Sequence, residues 1–283
     1  MILPAKSLLA AALFAFTASG PLSAQTPAPA NTPETTTEEE YTPSLGQQGK
    51  DVIWLPTSQA LVDQMLDMAN LTAEDRLVDL GSGDGRLVIT AAKRGAAARG
   101  IEYNPDMVAV SKRTAQAEGV GDKVTFEQAD IFESDFSDAS VVTLFLLPKL
   151  NMRLRPTLLD MKPGTRVVSN SFAMEDWEPD ETAEVKEGCT NYCHAYKWTI
   201  PAKVAGKWQL GDRELILNQQ FQMLEGTISN GGASTPITDA RLDGENITFS
   251  ANGQTYTGKV NNRQMQGTIN GTSNWTAKLV SMQ

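Results

Sequence analysis

The sequence has little of what builds metal centres and nucleophilic triads. Its 283 residues include two cysteines, Cys189 and Cys193, and one histidine, His194. A structural zinc ion usually takes four Cys or His ligands, so such a site is nearly excluded and we expect no metal centre. A Ser-His-Asp triad would depend entirely on His194, because histidine is the general base of that triad.

The sequence also lacks an excess of positive charge. It contains 24 Lys and Arg residues against 34 Asp and Glu residues, and the formal net charge is −10. A protein that binds nucleic acid unaided needs a basic surface that displaces the counterions of the phosphates. We therefore expect neither a nucleic-acid partner nor docking on anionic lipid. The 41% share of hydrophobic residues is ordinary and excludes wholesale disorder.

Long hydrophobic runs are missing as well. The apolar run Leu8–Phe16 follows Lys6 and precedes the small-residue segment Pro21–Ala24, which is the layout of a secretory signal peptide over residues 1–24. It is far short of the roughly 20 residues that span a bilayer, although an uncleaved membrane anchor is the alternative. The sequence thus predicts export, to the periplasm, without stable membrane insertion after cleavage. Residues 25–49 are rich in Pro, Thr, Gln and Glu and predict a disordered linker.

Helical and strand patterns alternate from residue 50 to residue 203. Strands are predicted at 76–80, 98–102, 124–127, 141–147 and 165–171, and helices at 57–70, 86–94, 105–118 and 150–161. Strands separated by helices of this length indicate an α/β domain with a doubly wound, mainly parallel sheet.

The pattern changes in residues 204–283. Asp243-Gly244, Asn252-Gly253 and Asn270-Gly271 are typical tight-turn dipeptides of hairpins, and short alternating runs lie between them. They predict an all-β C-terminal domain, an antiparallel meander of about six to eight strands or a small barrel. We interpret it as a structural or substrate-docking appendage, with a ligand-holding barrel as the alternative.

A glycine-rich turn, Gly81-Ser82-Gly83-Asp84-Gly85, follows the first strand. Ligands of open α/β sheets bind at this edge. The turn differs from the dinucleotide pattern G-x-G-x-x-G because its third glycine comes one residue early. Asp79 before the turn and Asp84 inside it would repel a pyrophosphate. Both suit a ligand with a cationic end, such as the ammonium and sulfonium groups of S-adenosylmethionine.

Two further carboxylates follow the next strands. Glu102 ends the second strand, where it can accept hydrogen bonds from both hydroxyls of a ribose. Asp130 follows the third strand, where it can accept from the amino group of an adenine, with Ile131 beside the ring. Each has a simpler alternative, since Glu102 can be a surface residue and Asp130 a helix cap.

These motifs resemble a known family. VDLGSGDGR followed by GIEYNP is similar to the class I S-adenosylmethionine-dependent methyltransferases, which are Rossmann-like. Residues 54–177 resemble the branch with the mitochondrial protein-lysine methyltransferases of the ATP synthase c-subunit, and resemble exported bacterial relatives more closely still. The matches outside the glycine turn are Pro56-Thr57, Glu102-Tyr103-Asn104-Pro105, Phe172 and Trp177. The resemblance implies cofactor contacts at Asp79, Gly81, Ser82, Gly83, Glu102 and Asp130. We add the motif residues Pro56, Thr57 and Tyr103 and the ring neighbour Ile131 as candidate cofactor contacts.

The resemblance implies a methyltransferase that uses S-adenosylmethionine, with a protein lysine amine as the favoured acceptor and a small molecule as another. Leu146-Leu147-Pro148-Lys149 stands where the amide- and adenine-methylating branches have Asn-Pro-Pro-Tyr, in line with the expected absence of nucleic acid. An exported binding protein that holds a nucleoside-type ligand without turnover is the alternative, and a purely structural envelope protein is a third. Trp54, Tyr103, Phe172 and Trp177 are candidates to line an acceptor channel, although core packing is expected for at least two.

The cysteines form the last candidate site. Export to an oxidising compartment and the presence of only two cysteines predict a disulfide between Cys189 and Cys193. Metal binding by the two thiols and His194 is the alternative, but a fourth ligand is not evident.

Overall fold

The computed structural model of the protein describes residues 41–282. The predicted signal peptide, 1–24, and the first part of the predicted linker, 25–40, lie outside the described residues. The described residues belong to one compact unit that contains two β-sheets. No helix between residues 41 and 282 is long and apolar enough to cross a membrane.

The first sheet belongs to the α/β part of the chain. Its elements are α1 (Gln59–Met68), β1 (Arg76–Leu80), α2 (Arg86–Lys93), β2 (Ala97–Glu102), α3 (Pro105–Ala117), β3 (Val124–Gln128), β4 (Val141–Leu144), α4 (Pro148–Leu159), β5 (Arg166–Asn170), β6 (Glu181–Glu184) and β7 (His194–Thr199). The strand order is β3-β2-β1-β4-β5-β7-β6. Strands β1 to β5 pair in parallel, whereas β7 is antiparallel to β5 and β6 to β7. The predicted doubly wound, mainly parallel sheet is confirmed.

Side-chain caps set the starts of the helices that border the site. The Ser58 hydroxyl accepts a hydrogen bond from the Leu61 N–H at the beginning of α1. The Asn104 side chain accepts from the Asp106 N–H (2.9 Å) at the beginning of α3. Pro105 occupies the first turn of α3, where its missing N–H leaves no partner unsatisfied. The cap of α3 places the N-terminus of that helix directly after the end of β2.

The largest difference from the predicted strands is at β4. Strand β4 ends at Leu144 instead of residue 147, and α4 begins at Pro148 instead of residue 150. A proline favours an extended residue before it and suits the first turn of a helix. Leu147 accordingly has extended backbone angles and precedes the helix as its cap. The chain from Phe145 to Leu147 therefore leaves the sheet and becomes available to the site.

The second sheet is a barrel. Its strands are β8 (Gly206–Leu210), β9 (Arg213–Gln220), β10 (Met223–Asn230), β11 (Ala233–Pro236), β12 (Thr238–Asp243), β13 (Asn246–Ala251), β14 (Gln254–Asn261), β15 (Gln264–Ile269) and β16 (Ser273–Met282). They follow the order β11-β10-β12-β13-β14-β15-β16-β8-β9, and β9 also pairs with β10. Every strand except the edge strand β11 thus joins a closed antiparallel ring, as the turn dipeptides predicted. Trp208, Phe249, Tyr256 and Trp275 are buried inside, so the interior is a packed core.

A buried polar contact joins the barrel to the first sheet. Trp177 is fully buried, and its indole N–H donates to the side-chain oxygen of Gln222 at 3.0 Å. The Gln222 amide nitrogen donates to the Glu178 carbonyl at 2.8 Å. The ring of Phe221 stacks on Trp177 with centroids 5.6 Å apart. Contacts therefore cross the domain boundary that we predict between residues 203 and 204.

We expect Gln222→Ala to leave the buried Trp177 indole N–H unpaired and to remove the donor to the carbonyl of Glu178, an exposed residue. The free energy of unfolding should fall by about 1–3 kcal/mol, the cost of one buried unsatisfied group. Urea denaturation of the two chains measures the difference. Gln220→Ala is the matched control because Gln220 is exposed nearby, and it should change the value by less than about 0.5 kcal/mol. Equal effects of the two variants would contradict a stabilising role of the contact.

Candidate functional site

A cavity of about 490 Å³ lies at the carboxyl ends of the parallel strands. Its volume is within the range of about 300–1,000 Å³ that is typical of small-molecule pockets. The predicted site residues that line it are Pro56, Thr57, Asp79, Gly81, Ser82, Glu102, Tyr103, Asp130 and Ile131. Gly83, the remaining predicted residue, is buried within the turn beside the cavity. The structure thus brings the predicted residues together around one space.

Asp79 is the buried carboxylate of the cavity. It pairs with Thr143 in the register of β1 and β4, and the Thr143 hydroxyl donates to it at 2.7 Å. Burial raises the pKa of Asp79 from 3.8 to about 7, the Thr143 hydrogen bond opposes this shift, and the charges of Glu102 and Asp84 add to it. A cation beside Asp79 would stabilise the ionised form. This corner of the cavity therefore favours a positively charged group.

The glycine turn uses its own N–H groups inside the protein. The N–H groups of Gly81 and Ser82 both donate to the Ile101 carbonyl, at 2.9 and 3.1 Å. The Gly83 N–H donates to the Glu102 carboxylate at 3.0 Å. Because these three donors are already engaged, they are not free to cradle a phosphate. The geometry agrees with the argument from charge against a pyrophosphate.

Two glycines allow close packing around the turn. Gly83 has a φ of +53°, and a Cβ there would lie 2.6 Å from the indole nitrogen of Trp54. A Cβ at Gly100 of β2 would lie 2.5 Å from the Ser82 hydroxyl. Side chains at these positions would therefore displace Trp54 from the turn and lift Ser82 off the sheet.

Glu102 links the turn to the next helix. One of its oxygens accepts from the Gly83 N–H, and the other accepts from the Asn104 N–H at 2.9 Å. Each carboxylate oxygen can accept more than one hydrogen bond. Glu102 lines the cavity and can therefore also accept from the hydroxyl groups of a ligand. The backbone contacts fix the carboxylate in place for that purpose.

Asp130 has a partner that the sequence did not indicate. One oxygen accepts from the Phe132 N–H at 2.9 Å, and the other pairs with the Lys50 ammonium at 2.5 Å. The Lys50 hydrogen bond is the main reason that the pKa of Asp130 is lowered. The Lys50 nitrogen also lies 4.7 Å from the centre of the Tyr103 ring. A donor from a ligand would share Asp130 with Lys50.

Lys50 belongs to a hairpin at residues 46–54, which we name the cover hairpin. The Gly46 N–H donates to the Trp54 carbonyl at 3.0 Å, and the Trp54 N–H donates to the Gln47 carbonyl at 2.9 Å. The cavity is lined by every residue from 47 to 57. Sequence reasoning missed the part of this wall before Trp54, because residues up to 49 have the polar composition of the predicted linker. Its end was indicated by Trp54, a predicted channel candidate, and by the Pro56-Thr57 motif.

Thr57 anchors the end of this segment. The Arg86 guanidinium donates to the Thr57 carbonyl at 2.8 Å and pairs with Asp84 at 2.6 Å. The buried Asn170 side chain, at the end of β5, donates to the Thr57 hydroxyl at 3.0 Å. Pro56 and Thr57 are thus fixed between the glycine turn and β5. The Asp84 carboxylate orients Arg86, which in turn holds Thr57, and this gives the carboxylate inside the turn a structural role.

The opposite end of the cavity is apolar. Its lining residues near β4 and β5 are Leu144, Phe145, Leu146, Leu147, Leu150, Phe172 and Tyr192. Three of the four channel candidates, Trp54, Tyr103 and Phe172, line the cavity, so the expectation that at least two would pack in the core is wrong. Trp177 does not line the cavity, because it packs in the core against Trp198 and Phe221. Phe145 and Tyr192 are lining residues that sequence reasoning missed.

Cys189 and Cys193 form a disulfide with Cα atoms 5.8 Å apart. The loop that it closes contains Tyr192. His194 begins β7 and lies 4.0 Å from Glu184, with its side chain about half exposed. Within residues 41–282, no group of three His, Cys, Asp or Glu side chains is arranged to hold a metal ion.

Comparison with known proteins gives consistent matches. The family model of the ANTKMT methyltransferase domain matches residues 79–181. A protein-lysine N-methyltransferase of Saccharolobus islandicus (strain REY15A) is 39% identical over 144 residues, which are 50% of this chain and 89% of that protein. An adenine nucleotide translocase lysine N-methyltransferase of Mus musculus is 36% identical over 115 residues, which are 40% of this chain and 49% of the mouse protein.

A solved structure is also similar. The RNA methyltransferase from Salinibacter ruber, crystallised in complex with S-adenosyl-L-homocysteine, is 47% identical with a TM-score of 0.50, over 53% of this chain and 96% of that chain. The acidic end of the cavity suits the same kind of ligand, with Asp79 for a cationic group and Glu102 for hydroxyl donors. The chain therefore belongs to the S-adenosylmethionine-dependent methyltransferases, and its residues 79–181 match the model of the ANTKMT methyltransferase domain.

Proposed function

We propose that the protein transfers the methyl group of S-adenosylmethionine to a lysine amine of a protein. The observation that carries the proposal is the division of the cavity. Carboxylates surround its end over β1, β2 and β3, whereas leucines and aromatic rings surround its end over β4 and β5. The similar protein from Saccharolobus islandicus, matched over most of its length, is named a protein-lysine N-methyltransferase.

Three carboxylates of this chain would hold the cofactor. We assign Asp79 to the cationic amino-acid end, Glu102 to the ribose hydroxyls, and Asp130 with Ile131 to the adenine. The order of the strands supports the assignment, since β1, β2 and β3 are neighbours, with Asp79 in β1, Glu102 at the end of β2 and Asp130 just after β3. The remaining assigned contacts are Pro56, Thr57, Gly81, Ser82, Gly83 and Tyr103.

The cofactor supplies a methyl group on a positively charged sulfur, so that an amine lone pair forms the N–C bond while the S–C electron pair remains on sulfur. The chain has to align the amine and keep it neutral. A lysine ammonium must first lose its proton to solvent, and apolar surroundings favour the neutral amine. Leu146, Leu147 and Phe172 provide such surroundings. This division of roles requires no general base.

The proposed site of action is outside the cytoplasm. The disulfide between Cys189 and Cys193 supports this, because disulfides persist mainly in oxidising compartments. The sequence pattern of residues 1–24 supports it as well. The protein would then meet its acceptor in the periplasm.

We expect Glu102→Ala to weaken the binding of S-adenosylhomocysteine by about ten- to a hundredfold. The change removes hydrogen bonds to a charged group, which are worth about 1.5–3 kcal/mol, and frees the Gly83 and Asn104 N–H groups. Isothermal titration calorimetry is the measurement. Glu127→Ala is the matched control, since Glu127 is an exposed carboxylate of β3 that pairs with Arg99, and it should retain the wild-type affinity. If Glu102→Ala bound S-adenosylhomocysteine with wild-type affinity, Glu102 would not be a cofactor contact.

The acceptor is tested by isotope labelling. We expect the full chain, given S-adenosylmethionine with an isotopically labelled methyl group and total protein of its host, to place the label in methyl-lysine after acid hydrolysis. Total RNA of the host is the parallel reaction, because a similar protein is named an RNA methyltransferase. Label in RNA alone would contradict the lysine proposal. Cofactor binding without any transfer would favour the non-catalytic binding protein.

A further inference from the structure

Three aromatic rings meet at the apolar end of the cavity. Phe145 and Phe172 have ring centres 6.2 Å apart, and Tyr192 lies 5.3 Å from Phe145 and 5.9 Å from Phe172. We name these three residues the aromatic wall. At these separations the rings touch one another, so no group can enter between them. They present one continuous apolar surface to the cavity that all three line.

The aromatic wall runs from the interior to the mouth of the cavity. Phe145 and Phe172 are partly buried, whereas Tyr192 is 45% exposed. A ligand that follows the wall therefore passes from solvent to the inner end of the cavity. The shape suits a group at the end of a long apolar stem.

Specific contacts hold Phe172 and Tyr192 in place. The Phe172 carbonyl accepts from the Ser169 hydroxyl at 2.7 Å and from the Asn151 side chain at 3.1 Å. Tyr192 has a φ of +57°, a conformation that costs a non-glycine residue free energy and persists where the surroundings impose it. The disulfide closes the loop that carries Tyr192. The bridge thus keeps Tyr192 against the other two rings.

The aromatic wall lies beyond the cofactor's proposed place. Asp79 lies in β1, Glu102 ends β2 and Asp130 follows β3, while Phe145 and Phe172 follow β4 and β5. In the strand order, β4 and β5 lie on the opposite side of β1 from β2 and β3. The aromatic wall is therefore on the side of the cavity from which an acceptor would approach the cofactor. Among the described lining residues, those that β4, β5 and the disulfide loop contribute carry no charged side chain.

We propose that the aromatic wall binds the side chain of the acceptor lysine, and that Tyr192, held by the Cys189–Cys193 disulfide, is a specificity-determining residue. This rests on the proposed function. The methylenes of the lysine gain from burial against the ring faces. Its nitrogen, while charged, is attracted to those faces as it enters the cavity. Deeper in the cavity the loss of water favours the neutral amine that methyl transfer requires.

The proposal is tested on the full chain with three changes. Tyr192→Ala removes the outer ring, Tyr192→Phe keeps the ring and removes the hydroxyl, and Cys189→Ser with Cys193→Ser opens the loop. The probe is a glycine peptide with a single lysine, and its copy with arginine at that position is the negative control. Calorimetry measures binding of the probe to the chain saturated with S-adenosylhomocysteine. Transfer of labelled methyl gives KM and kcat for the same probe.

We expect Tyr192→Ala to weaken probe binding and raise its KM by about tenfold or more, the order of a lost aromatic contact with a buried stem. S-adenosylhomocysteine affinity should stay within about twofold, which also shows that the variant is folded. Tyr192→Phe should behave as wild type, because the proposed contact uses the ring. The double serine variant should shift KM in the same direction as Tyr192→Ala, with kcat less affected, since the loop positions Tyr192.

Three outcomes would overturn the assignment, and they are distinguishable. If wild type methylates the lysine probe and Tyr192→Ala has the same KM and the same probe affinity, the aromatic wall is not the acceptor site although the proposed function stands. If wild type neither binds nor methylates the lysine probe, or treats the arginine copy alike, the lysine proposal fails and the wall loses its assigned ligand. A Tyr192→Phe variant as defective as Tyr192→Ala would assign the role to the hydroxyl instead.

Discussion

Asp79 is buried and lines the cavity, where burial opposes its charge and the negative charges of Glu102 and Asp84 add to that effect. Its pKa of about 7 lies above its ordinary value of 3.8. Between these values the folded chain holds a proton that the unfolded chain has released, so the free energy of unfolding falls as the pH rises through that window. Carboxylates with strongly raised pKa values cluster at functional sites, where a bound cation can offset the free-energy cost of the buried charge. The cationic end of the cofactor is that compensation in our account.

The elements around Asp79 keep the cavity open and hold its side chains in position. The register of β1 and β4 sets Thr143 beside Asp79, and the glycine turn directs its N–H groups to Ile101 and Glu102. The cover hairpin then spans the acidic end and pairs Lys50 with Asp130. At the far end, the short β4 and the disulfide loop bring aromatic rings forward. Acidic and apolar halves of one cavity are thus built by different strands of one sheet.

Local sequence patterns predicted the α/β part well. Strand β1, the glycine turn and Pro105 each depend on a few neighbouring residues, and the structure has them where the patterns placed them. Glu102 could be placed because it ends a strand that must lie beside β1. The barrel followed from turn dipeptides such as Asn252-Gly253, whose positive φ angles suit tight hairpins.

Contacts between distant segments could not be read from local patterns. Lys50 reaches Asp130 from a polar stretch that looks like linker, and Tyr192 meets Phe145 only because β7 folds back along β5. Trp177 illustrates the opposite case, since this channel candidate packs in the core against Trp198 and Phe221 instead. Its partner Gln222 lies 45 residues away in sequence. Such pairings are set by tertiary packing, which no periodicity or spacing encodes.

Proton release on cofactor binding tests the central role of Asp79 most directly. S-adenosylhomocysteine binding is measured by calorimetry in two buffers of different ionisation enthalpy, between about pH 5.5 and 7.5. The account predicts release of up to about one proton per ligand below pH 7, an affinity that rises as the pH approaches about 7, and loss of both effects in Asp79→Asn. Binding that releases no proton and keeps the same affinity across this range would show that the ligand's cationic end does not meet Asp79.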